Sequence, residues 1–142
     1  MNGWVVDTCV IIDVLSGDSE FAARSADAID AKRIDGLSIA PITYVELAPS
    51  FLGDVAKQDA VLFGMGIGFD FAGSKDVVLA AHKAWHEHVL RKRLGETAKR
   101  PIADAMIGAY AMRKGGLITR NVADFKTLYP NLTIFNPVSS VS

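Results

Sequence analysis

Cysteine is almost missing from this chain. A single residue, Cys9, stands among 142, so no internal disulfide can form, which agrees with a reducing compartment and makes the cytoplasm the expected location. Long apolar runs are missing too: no stretch approaches the roughly 20 residues that a helix needs to cross a bilayer, and no membrane association is expected. The amino terminus has no basic region followed by a cleavage site and enters a strand-like run, GWVVD, so an unexported protein is expected. Nor is there an excess of charge of one sign. A formal net charge of -1 and a pI near 6.3 give no overall signature of a nucleic-acid binder. The polar, charge-heavy balance of a disordered chain is also absent, because half the residues are hydrophobic and mean hydropathy is +0.24. No internal repeat or low-complexity segment is present. A chain of this length can bury roughly two thirds of its unfolded surface in one core. One domain is expected over residues 1–136, with 137–142 as a flexible tail.

What the sequence does contain is an uneven distribution of charge. Residues 1–76 carry 12 acidic and 5 basic side chains, whereas residues 77–142 carry 4 acidic and 10 basic. Arg91, Lys92, Arg93, Lys99, Arg100, Arg113, Lys114 and Arg120 would form a stripe attracting phosphates beside a carboxylate site, or else a set of solvated helix faces.

Strand and helix signals alternate. WVVD is too short for a helix and reads as a strand, followed by a helical turn at VIIDVL. SEFAARSADAIDAKRIDG reads as a helix capped by Ser19, with Phe21, Ala22, Ala28 and Ile29 at helical spacing and Gly36 as its stop. LSIAP reads as a strand closed by Pro41, ITYVELAPSF as a helix limited by Pro49, and DVAKQDAVLFGMG as an amphipathic helix. IGFDF is a third strand and SKDVVLAAHKAWHEHVLRKRLG the longest helix, before the loop ETAKRP. PIADAMIGAYAMRKGG is a helix with proline at its start and glycines at its end. LIT, NVADFKTLYP and LTIF then give strand, short helix and strand. The pattern predicts a three-layer α/β/α sandwich with a mainly parallel central sheet, with crossovers right-handed and ligands beyond the carboxyl ends of the strands.

Four acids fall at the handovers from strand to helix: Asp7, Glu46, Asp104 and Asp124. Each has a purely local explanation. Asp7 can cap the helix after it, and Glu46 can complete a capping box with Thr43. Asp104 can answer the helix dipole, and Asp124 can serve a cap-like turn after Asn121. Independent caps, however, have no reason to converge on one sheet edge. Two unit charges about 5 Å apart repel by roughly 3 kcal/mol at an effective dielectric near 20, so a cluster of four carboxylates calls for a cation. Oxygen ligands favour Mg²⁺ or Mn²⁺, where Zn²⁺ would want His or Cys. Thr8, Thr119 and Asn121 flank the acids and can orient them.

VVDTCVIIDVL, APITYVELA, ADAMIGAYA and GGLITRNVADF, in this order and at these separations, resemble a PIN domain of the VapC-like toxin type over residues 4–135. The resemblance implies a PIN-like fold and a Mg²⁺- or Mn²⁺-dependent endoribonuclease that hydrolyses RNA phosphodiester bonds with a metal-activated water. It implies products with a 3′-hydroxyl and a 5′-phosphate, a homodimer, and inhibition by a cognate antitoxin protein. Asp7, Glu46, Asp104 and Asp124 match the family's acidic quartet, as metal ligands and catalytic groups, and Thr8, Thr119 and Asn121 match its supporting hydroxyls and amide. Cys9 stands where such proteins often carry Ser or Asn, and is expected to pack.

Other arrangements lead elsewhere. A non-catalytic module could use the same acidic pocket to receive a basic partner segment. A receiver-like phosphoacceptor would need an Asp at the end of a middle strand, where this chain has Ala40 and Pro41. His82 and His86 lie four apart, with His88 beyond, but HKAWHEH is not HExxH and no third ligand is evident. Gly64, Gly66 and Gly68 precede a strand, the wrong context for a phosphate-binding loop. Val61, Leu62, Phe63 and Met65, with Phe51 and Leu52, are either core or a dimer surface.

Overall fold

Adjacent residues Val5 and Val6 are both fully buried, and because successive strand side chains point to opposite faces they lie on opposite sides of the sheet. Val6 packs with Leu37, Ile39, Ile67 and Ile118; Val5 packs with Leu117. A strand buried on both faces belongs to a parallel sheet covered by helices on both sides. The computed structural model describes residues 3–69, 77, 80, 82, 84 and 101–138, and has that form. The strands β1 (Trp4–Val6), β2 (Leu37–Ile39), β3 (Ile67–Phe69), β4 (Gly116–Ile118) and β5 (Ile134–Phe135) lie in the order β3-β2-β1-β4-β5. Every pairing is parallel. The mainly parallel α/β sandwich expected from the sequence is the fold.

The helices whose bounds fall among the described residues include α1 (Thr8–Ser16), α2 (Ala22–Lys32), α3 (Pro41–Glu46), α4 (Val55–Gly64), α5 (Pro101–Met112) and α6 (Val122–Leu128). Helices α1, α2 and α4 cover one face with Val10, Ile11, Ala28, Ile29 and Leu62. Helices α5 and α6 cover the other with Ile107, Ala111 and Phe125. Each such aliphatic or aromatic side chain stabilises the fold by about 1.5–3 kcal/mol when fully buried. None of the helices among the described residues is long and apolar enough to cross a membrane.

Several boundaries differ from the sequence reading, for local reasons. Ser19 does not cap α2: the cap position is Phe21, without a side-chain cap bond, and the turn before it is held by Asp18, whose Oδ1 accepts from the backbone N–H groups of Phe21 and Glu20 at 2.8 and 2.9 Å. Those two bonds, Phe21 first, hold the Asp18 carboxyl below its ordinary pKa. An ionised acceptor makes a stronger bond than a hydroxyl, which favours the aspartate. The helix gives way to a 3-10 turn at Arg33–Asp35 before Gly36. Pro41 is the first residue of α3, with Ala40 at the cap, so Thr43 lies inside the helix and the Thr43–Glu46 capping box does not form. Pro49 limits the helix as expected, and the chain continues as a 3-10 turn, Ala48–Phe51. Strand β3 is described over Ile67–Phe69; Asp70 and Phe71 lie outside the described residues, as does most of the expected long helix with His86, His88 and the basic residues 91–100.

Candidate active site

The register places Trp4 beside Gly116 and Val6 beside Ile118. Carried one step further, it brings Asp7 beside Thr119, and the Asp7 N–H donates to the Ile118 carbonyl at 2.9 Å. The Thr119 hydroxyl donates to Asp7 Oδ2 at 2.7 Å, both residues being fully buried. The same hydroxyl accepts from the Asn121 backbone N–H at 2.9 Å. Asp7 occupies the cap position of α1 but makes no side-chain cap bond to the helix backbone; its carboxylate accepts from the Thr119 hydroxyl instead. Likewise Asn121 stands at the cap of α6 without a side-chain cap bond.

Thr8, next in the chain, reaches α3. Its hydroxyl donates to Glu46 Oε1 at 2.7 Å and lies 3.0 Å from the Thr43 hydroxyl. Glu46 is half-buried, while Thr8 and Thr43 are buried. Three strand ends are therefore tied together: β1 through Asp7 and Thr8, β2 through the helix that follows it, and β4 through Thr119.

Asp104 enters from α5. This helix spans about 18 Å at 1.5 Å per residue and leads after a short turn into β4, so its first turn lies toward the carboxyl edge of the sheet. Asp104 is in that first turn and is fully buried, and α5 packs against β1, β4 and α3. Asp124 is half-buried in the first turn of α6, the helix that leaves this edge after Thr119. The hydrogen bonds thus join Asp7, Thr8, Glu46, Thr119 and Asn121, whereas Asp104 and Asp124 are placed by their helices. Among the described residues no group of three or more His, Cys, Asp or Glu side chains is assembled to hold a metal ion.

Cys9 does more than pack. It lies against the core of the α1 face, and its thiol donates to Asp7 Oδ2 at 3.3 Å. Burial first, and then the charge of Asp7, push the thiol pKa up to about 12. A thiol is a strong metal ligand only as thiolate, so at neutral pH Cys9 acts as a donor to the carboxylate. The ligand set is then carboxylate and hydroxyl oxygen, which fits a hard ion. Asp7 and Asp104 are the two candidate oxygen donors that are fully buried.

The basic stripe needs correction where it can be seen. Arg120 faces inward: Nε donates to Asp13 Oδ2 at 2.7 Å and Nη2 to Oδ1 at 2.9 Å. Arg113 and Lys114 lie in the turn from α5 to β4, at the amino end of the strands, across the sheet from the acids. Asp13 is the residue that the sequence reading passed over. Its signal was an acid set within an apolar helical run, VIIDVL, where a solvated position would normally show polar neighbours.

The fold is a parallel three-layer α/β domain in which Asp7 and Asp104 are fully buried and Glu46 and Asp124 half-buried. The chain belongs to the PIN domain family, whose family model matches residues 4–129. PIN domains are generally nucleases, and these typically use divalent metal ions. Among solved structures, the chain is similar to one of VapBC-1 from nontypeable Haemophilus influenzae, with a TM-score of 0.64 and 20% identity, covering 94% of this chain and 97% of that one. At that identity the likeness speaks for the fold. No curated protein sequence matches the chain.

Proposed function

We propose that this chain is a divalent-metal-dependent endoribonuclease, the toxin member of a VapC-like toxin–antitoxin pair. The observation that carries the reading is the pair of hydrogen bonds, Thr119 to Asp7 and Thr8 to Glu46, that fix two of the four acids from separate strand ends. Asp7, Asp104 and Asp124 would hold Mg²⁺ or Mn²⁺, directly or through water, with Glu46 completing the set. When bound, such an ion polarises a phosphoryl oxygen and lowers the pKa of a water. The side chains contribute orientation: Thr119 and Cys9 hold the Asp7 carboxylate in one rotamer, and Thr8 holds Glu46. Glu46, half-buried, would assist proton removal from the attacking water. RNA is the substrate, a cognate antitoxin and a second copy of the chain are the partners, and VapBC-1 supports this reading by its fold.

The test is cleavage of labelled single-stranded RNA by the purified chain in Mn²⁺, with and without chelator. Cleavage that needs the ion and is abolished in Asp7→Asn and Asp104→Asn, with circular dichroism unchanged, is the expected result. Undiminished cleavage in both variants would refute the assignment. A wild-type chain that binds a basic peptide in the acidic pocket but never cleaves RNA would favour a non-catalytic binding module.

A further inference from the structure

Thr119, Arg120 and Asn121 are consecutive, and two of them already belong to the site. We propose that the third, Arg120, and its partner Asp13 form a positioning pair that sets the Thr119 hydroxyl against Asp7; its effect on turnover rests on the nuclease reading, but the positioning itself does not. The guanidinium meets Asp13 through two parallel bonds, at 2.7 and 2.9 Å. Its plane also lies over the Phe21 ring, 4.0 Å from the centroid. Asp13 is only 5% exposed and accepts a further bond from the Ser25 hydroxyl at 2.9 Å. Three elements therefore converge on one carboxylate: α1 supplies it, α2 braces it through Ser25, and the connection from β4 to α6 is held by it.

That connection is where positioning is needed. Residues 119–121 follow the last β4 residue and precede α6, and Asn121 has φ -92 and ψ 55, outside both helix and strand values. Such a segment has no repeating ladder to hold it. Besides the Thr119 hydroxyl bonds to Asp7 and the Asn121 amide and a backbone bond from Arg120 to Cys9, its backbone ties to other residues include the Thr119 N–H to the Phe135 carbonyl at 3.2 Å and the Phe125 N–H to the Asn121 carbonyl at 3.4 Å. The forked bond of Arg120 is shorter than these last two and lies between them in sequence. An exposed ion pair would add little, but a bidentate pair with one partner nearly buried has fixed geometry as well as charge. Lysine would keep the charge and lose the fork.

The experiment uses the full chain with Arg120→Lys, and Asp13→Asn as a second variant that keeps the shape and the Ser25 contact. Backbone amide resonances are recorded without metal, and RNA cleavage is measured in Mn²⁺. In whichever variant folds, the Asn121 amide, which bonds to Thr119 Oγ1, should shift while amides of α4 stay in place. The rate constant kcat should fall by about 10- to 100-fold, the usual effect of losing a group that orients ligand side chains, with KM changed little. A raised KM with kcat preserved would mean that Arg120 meets RNA phosphate instead, and would overturn the proposal. An unmoved Asn121 amide with full kcat and only a lowered melting temperature would also overturn it, leaving a structural ion pair. If the wild-type chain cleaves no RNA, the nuclease reading fails, yet the Asn121 shift still decides the positioning.

Discussion

Thr119 is bonded on both sides of one oxygen, giving its proton to Asp7 and receiving that of the Asn121 amide. Valine has the same shape and neither capacity. Thr119→Val therefore removes one donor to a buried carboxylate and the acceptor of an amide, a loss of about 1–3 kcal/mol. Urea denaturation measures it, and an unchanged midpoint would show that water replaces the hydroxyl. Two half-buried acids of another kind give the protein a pH dependence. The Cys9 thiol rises from an ordinary value of 9.0, and the Tyr129 phenol from 10.0, each to about 12. Burial is the leading cause for both. The folded state holds these protons more tightly than the unfolded chain does, so their contribution is complete below the unfolded values and disappears as pH climbs toward the folded ones. Stability should fall above about pH 9; Cys9→Ala should delay the onset, and Tyr129→Phe should flatten the later part. Denaturation curves across that range check the order.

At the scale of elements, the contact of α5 with α6 decides where Asp104 and Asp124 stand. Tyr129 ends α6, packs beside α5 and donates its hydroxyl to the Ala105 carbonyl at 2.6 Å. The close approach depends on Gly108, where an added Cβ would overlap the Tyr129 ring. Gly108→Ala should therefore destabilise by about 1–3 kcal/mol through overpacking, despite alanine's better helix propensity. Thermal melts of this variant and of Gly108→Ala with Tyr129→Leu make the test: the second change should recover much of the loss. If Gly108→Ala is neutral or stabilising, α6 is free to move and the placement of Asp124 does not depend on this contact.

At the scale of the whole molecule, the sheet joins segments far apart in sequence so that one edge collects carboxylate and hydroxyl groups from both halves of the chain. A ligand that binds only the folded state stabilises it by mass action, about 2.7 kcal/mol at a concentration 100 times its Kd. Mn²⁺ should raise the melting temperature, chelator should reverse the rise, and Asp7→Asn should abolish it. Calorimetry that finds the same increase in wild type and variant would place the ion elsewhere.

The sequence by itself determined the kinds and order of the described elements, because their signals are local: Val5–Val6 and Leu117–Ile118 as apolar strand runs, Pro41 as the end of a strand run, Pro101 as a helix start, the double glycine before β4. It also marked Asp7, Glu46, Asp104 and Asp124 as the candidate acids, of which Asp7 directly follows β1, Glu46 ends α3, and Asp104 and Asp124 lie in the first turns of α5 and α6. Tertiary structure alone decided what the side chains meet. The link between Asp7 and Thr119 spans 112 residues and that between Thr8 and Glu46 spans 38. Arg120, one of many basic residues in the sequence, became the partner of Asp13 across 107 residues. Such pairings are set by strand register and by the packing of helices on the sheet, quantities to which every buried residue contributes and which no short window of sequence contains.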